Sequence, residues 1–174
     1  MVRLWLIPIL CILLTNLLMA AEDNDTHRRL ASSPTISESA CWQLSEDPDW
    51  VVRQSLATNR KTPPAVLDRL ARDVRPEVRI AVATNLATTE ATFAQLARDQ
   101  EVSVRSVVAR FEYVPASTLA ILAQDSSADI RLEVASNLNA SKQTLQILSR
   151  DPQPEVANAA NIGLQRLREE SQAK

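Results

Sequence analysis

One glycine, one histidine and two cysteines stand among 174 residues, and aromatic side chains make up only 3% of the chain. Each scarcity removes a class of chemistry. The single glycine, Gly163, rules out a glycine-rich loop whose backbone N–H groups cradle a phosphate. The lone histidine, His27, and the lack of any Cys/His spacing leave zinc without a ligand set. Positive charge is not in excess either. Nineteen Lys and Arg face 21 Asp and Glu, a net charge of −2, so no basic patch for a phosphate backbone is expected. Neither catalytic residues nor a cofactor site can be assembled from what remains.

The N-terminus is set apart by its composition. Arg3 precedes an apolar run from Leu4 to Ala21, broken by Pro8, Thr15 and Asn16, and Glu22, Asp23 and Asp25 follow. A cation, an apolar stretch and small residues before a polar region describe a secretory signal peptide over 1–20. The small-residue cleavage pattern is imperfect, so an uncleaved signal anchor stays open, the one case in which the chain would touch a membrane. Both readings place the rest outside the cytoplasm, periplasmic or secreted. Removal of 1–20 leaves 18 basic against 21 acidic residues, a net charge of −3. It also leaves Cys41 alone, so no intramolecular disulfide can form. Cys41 falls at an apolar position. It reads as a buried structural thiol, with a disulfide-linked dimer through it also open.

What the chain has in abundance is itself. Residues 47–72, 73–98, 99–124 and 125–150 are four consecutive 26-residue copies, and a fifth begins at Asp151. A short fixed period predicts stacked helical units that touch only their neighbours. Counting from each opening aspartate, position 6 is Val52, Val78, Val104, Ile130 and Val156, and position 10 is Leu56, Val82, Val108, Val134 and Ala160. With alanine at position 11, these form one helical stripe. Position 21 (Leu67, Phe93, Leu119, Leu145) and position 24 (Leu70, Leu96, Leu122, Leu148) form a second, shorter helix. Between them Asn59, Asn85 and Asn137 predict a left-handed residue that ends the first helix. Thr62-Pro63, Thr88-Thr89 and Ser141 then offer caps or first-turn residues for the second. The opening aspartate is expected to cap the long helix. The fold class is therefore all-α: a helical-repeat solenoid of 26-residue units, each a long helix and a short one. Residues 21–46 read as a linker and a degenerate capping unit, 47–150 as four repeats, and 151–174 as a C-terminal capping helix.

Position 7 holds Arg53, Arg79, Arg105 and Arg131, then Ala157. It falls inside the buried stripe, where an unpaired arginine is rare. The recurring anions are the opening aspartates Asp47, Asp73, Asp99, Asp125 and Asp151. Each arginine can reach its own unit's aspartate or the next one's, which predicts an internal Arg–Asp ladder. His27 occupies this position in the degenerate unit and reads as a solvated or capping residue.

The third unit breaks the pattern. Ala-Thr-Asn-Leu becomes Ala109-Arg110-Phe111-Glu112, with Tyr113 next. Arginine and aromatics are common interface anchors, whereas Phe111 could equally fill a core gap in an altered turn. Positions 8 and 12 point away from the buried stripe and carry Ile80, Thr84, Ser106, Arg110, Leu132 and Ser136 among others. The candidate partner-binding residues are thus Ile80, Thr84, Ser106, Arg110, Phe111, Tyr113, Leu132 and Ser136.

The residues D-P-x-x-x-V-R, L-A-T-N, T-P and L-x-x-L-A-x-D resemble the leucine-rich repeat variant, and the Asp and Val-Arg half resembles HEAT-type repeats. The resemblance implies a right-handed superhelix of helical pairs, the short member α or 3₁₀, with positions 8 and 12 lining a concave face. It also implies an Asp/Arg ladder of the HEAT kind. The founding type of the variant carries an iron–sulfur cluster on clustered N-terminal cysteines, and one cysteine cannot carry that over. The expected function is an exported scaffold that binds a protein or peptide along one face, without catalysis or cofactor. A structural or oligomerising module of the cell envelope is the alternative. An accessory enzyme subunit or lyase-type activity is the weakest reading.

Overall fold

A computed structural model describes residues 24–173. The expected export segment, 1–20, lies outside them. The described residues are helical, with no strand. The chain is helical over 24–31 (α1) and then forms α2 Glu38–Leu44, α3 Trp50–Thr58, α4 Pro64–Leu70, α5 Pro76–Ala83 and α6 Glu90–Leu96. There follow α7 Val102–Arg110, α8 Ala116–Leu122, α9 Ala128–Ser136, α10 Lys142–Leu148 and α11 Pro154–Gln172. The odd-numbered helices from α3 begin at 50, 76, 102, 128 and 154, and the even-numbered ones from α2 at 38, 64, 90, 116 and 142. Helices α3, α5, α7, α9 and α11 pack in series, each on the next, and the even-numbered helices pack between them. No helix among the described residues is long and apolar enough to cross a membrane.

Heptapeptide helices such as α4 are too short to persist alone; burial holds them. Val52, Leu56, Val78, Val82, Val104, Val108, Ile130 and Val134 from the odd helices meet Leu67, Leu70, Leu96, Leu119, Leu122, Leu145 and Leu148 from the even ones in one apolar core. Ala57, Ala83, Ala109 and Ala135 are also buried there, and their small size lets neighbouring helices approach. Gly163 has a packing reason of the same kind: a Cβ there would stand 3.0 Å from Leu145 Cδ1. The two helices of a pair differ less than expected. The long members α3, α7 and α9 have 9 residues, the short ones 7, and the short ones are α-helical.

Two local expectations are corrected. Among the described residues, no non-glycine residue has positive φ. Asn59 and Asn137 leave their helices in extended conformation, at φ −71° and −74°. Their side chains explain why. The Asn59 amide donates to the Ala31 and Ser33 carbonyls at 2.7 and 2.8 Å, Asn85 to those of Ala57 and Asn59, and Asn137 to those of Ala109 and Phe111. Their Oδ1 atoms accept from the backbone two residues on. These asparagines bind the preceding turn rather than bend their own. The opening aspartates do not cap either. Asp73 Oδ1 accepts from Arg75 N–H, and Asp47, Asp99, Asp125 and Asp151 each accept from the second residue on in the same way. This Asx turn sets up the residue that occupies the N-cap.

Candidate functional site

At the N-terminal ends of the long helices, each arginine grips the following aspartate in a bidentate pair. Nε to Oδ2 distances are 2.5 Å for Arg53–Asp73, 2.6 Å for Arg79–Asp99, 2.6 Å for Arg105–Asp125 and 2.7 Å for Arg131–Asp151. The second arm of each guanidinium donates at 2.6–2.8 Å to the backbone carbonyl of its own unit's opening aspartate, Asp47, Asp73, Asp99 or Asp125. The choice between own and next aspartate therefore resolves by atom: carboxylate from the next, carbonyl from the own. The arginine side chains are 12–13% exposed and their aspartates 6–9%. Burial alone would raise the Asp73, Asp99 and Asp125 carboxyls, but the facing guanidinium and the backbone N–H hold them below the usual carboxylate range. Asp151 is lowered mainly by its bond from Arg131. His27, 45% exposed, is in part solvated as expected, but it is also paired: its Nδ1 lies 2.5 Å from Asp47 Oδ2, twenty residues on, the spacing of every arginine rung. The rungs end where Ala157 replaces arginine.

Cys41 is fully buried, and burial pushes its thiol up. An intermolecular disulfide through Cys41 would require opening the N-terminal helices, so the fold as it stands does not present one.

The C-terminal ends of the long helices are different. There the chain forms an open groove of about 690 Å³ lined by Arg110, Glu112, Leu132, Glu133, Ser136, Asn137, Leu138 and Asn139. A smaller depression of about 270 Å³ shares Ser136 and Leu138 with it and continues over Ala159, Ile162 and Arg166 of α11. Leu138 and Ile162 are 74% and 70% exposed. Glu133 Oε1 accepts from Ser106 Oγ at 2.9 Å and lies 3.5 Å from Arg110 Nε, while its Oε2 is shielded and has no hydrogen-bond partner. Arg166 donates to the Leu138 carbonyl and lies 3.7 Å from Glu170.

Of the sequence-based candidates, Arg110, Leu132 and Ser136 line this groove, and Ser106 braces Glu133 beneath it. Ile80 and Thr84 do not line it. Ile80 and Leu132 are half-buried against the core, not solvent-facing as expected, because position 8 is wedged between consecutive long helices. Phe111 turns inward. Its ring stacks on core Phe93 at 5.9 Å and meets Tyr113 edge-on at 5.7 Å. Tyr113 stays exposed. Sequence reasoning missed Glu133, Leu138 and Ile162. Glu133 was detectable, since position 9 is otherwise Ser55, Ala81 and Val107. The chain matches no family model, no curated protein and no solved structure.

Proposed function

We propose that the chain is an exported, non-catalytic scaffold, a superhelical solenoid of 26-residue units akin to the leucine-rich repeat variant, that holds a protein or peptide partner. The carrying observation is the groove at the C-terminal ends of α7 and α9, continued along the middle of α11. Its exposed Leu138 and Ile162 form an apolar surface where each unit departs from its neighbours. Contiguous apolar surface rimmed by charge is the usual mark of an interaction site. The regular helix spacing and the Arg–Asp rungs support the solenoid reading, because only a stacked copy would need the same pair at every junction.

The test uses the mature chain as bait on an envelope extract, beside a Leu138→Glu, Ile162→Glu double variant. A protein held by the native chain and released by the variant is the expected result. An identical retained set for both would reject the groove as the working surface. Export is checked separately by fusion to a reporter active only outside the cytoplasm.

A further inference from the structure

The groove is polarised along its length, and this gives its occupant a chemistry. At the α11 end lie Leu138, Ile162 and Ala159, and the one charged group lining it is a cation, Arg166, which donates to the Leu138 carbonyl, lies 3.7 Å from Glu170 and leaves its shielded Nε without a hydrogen-bond partner. At the α7 end two carboxylates, Glu112 and Glu133, face one guanidinium, Arg110. Arg110 does not neutralise Glu133 fully: at 3.5 Å it is beyond a good charge-assisted bond, and Glu133 Oε2 has no partner at all. Glu133 Oε2 itself is closed off, so a cation brought by a ligand would meet the 23% of the Glu133 side chain that stays exposed, beside Glu112, and offset the excess of carboxylate at that end. Packed helices stand about 8–10 Å apart, and an extended peptide advances about 3.3 Å per residue. Moving from the α9/α11 floor to the α7/α9 rim thus takes about three residues.

We infer that the groove receives an extended segment of a partner protein that places an apolar side chain on Leu138 and Ile162 and, about three residues away, a lysine or arginine at Glu133 and Glu112. This rests on the scaffold reading above and names its partner class. The apolar anchor supplies burial, and the cation fixes direction and register, since only one end of the groove is acidic. Peptides with an acid at that position would meet Glu112 and Glu133 and be rejected.

The experiment pans a displayed library of random 12-residue peptides against the immobilised mature chain, then measures enriched sequences by fluorescence anisotropy. Enriched peptides are expected to share an apolar residue and a Lys or Arg about three positions apart. Leu138→Glu, or Ile162→Glu if the first variant fails to fold by circular dichroism, is expected to weaken them at least tenfold. Glu133→Gln is expected to weaken a lysine peptide more than the same peptide with methionine in place of lysine. Enriched peptides that bind the groove but carry acid or no charge would overturn the cation assignment and leave the scaffold standing. Binding indifferent to Leu138→Glu and Ile162→Glu would overturn the groove site. No enrichment of any sequence would count against both readings.

Discussion

The two ends of the long helices obey different rules. At the N-terminal ends of α3, α5, α7 and α9, four Arg–Asp pairs recur within 0.2 Å of one another, from 2.5 to 2.7 Å. At the C-terminal ends the asparagine amides recur in three of four units, at 2.6–2.8 Å to the carbonyl of the preceding unit's alanine, but one unit lacks the asparagine and the residue beside it changes from unit to unit. The turn position after the asparagine rung reads Arg60, Leu86, Glu112 and Leu138, and the rung itself is Asn59, Asn85, Phe111 and Asn137. Where one copy meets another, the same residue must serve at every junction. Where the surface faces outward, each unit is free to differ, and the turn of the third unit, with Phe111 and Glu112, differs most. Constancy marks what holds the stack, and divergence marks what the stack presents.

Acid should strike the constant end hardest, because it reaches four rungs together. Asp73, Asp99, Asp125 and Asp151 are all held below the ordinary range in the folded chain. A folded-state value below the unfolded one, about 3.9, means the stabilisation is complete above about pH 4 and is lost as pH falls further. Urea denaturation at stepped pH should show stability falling steeply below pH 4. A chain equally stable on both sides of that pH would mean the rungs carry no weight.

Arg105→Ala should come next. It strands the Asp125 carboxylate, 6% exposed, and removes the donor to the Asp99 carbonyl. Breaking a shielded pair from one side costs about 3 kcal/mol, against less than about 1 kcal/mol for a surface pair. Chemical denaturation distinguishes these outcomes.

The asparagine rung sharpens the contrast within one family of turns. Asn137→Ala should cost about 1–3 kcal/mol, since two carbonyls in a buried turn lose their donor. Phe111→Asn should change thermal stability by less than about 1 kcal/mol, because the regained amide bonds offset the lost Phe93 stack. A large loss in Phe111→Asn would mean that the aromatic pair, not an unused rung, holds the third unit. Least of all, Leu138→Glu should shift stability by no more than about 0.5 kcal/mol, being an exposed site.

The spacing of apolar residues and of Arg and Asp made the helices, their order and the pairing partners legible, because these features repeat and a repeat amplifies a weak local signal. Side-chain reach was not legible. Nothing in the sequence says that an Asn amide bonds the preceding turn instead of adopting a left-handed backbone, since either use ends a helix. The register places His27 at the ladder position, twenty residues before Asp47, but a histidine in a degenerate unit reads as solvated or capping until the contact with Asp47 is seen. Arg110 and Leu132 were found because they interrupt a pattern. Leu138 and Ile162 escaped because leucine or isoleucine looks like core until the packing shows which face is left bare.

Amide hydrogen exchange on the chain, with and without a saturating panned peptide, tests the division most directly. Protection should rise over 110–112, 132–139 and 159–166 and stay unchanged at the Asx turns after Asp73, Asp99 and Asp125. Protection concentrated at those turns, with the groove unaffected, would contradict it.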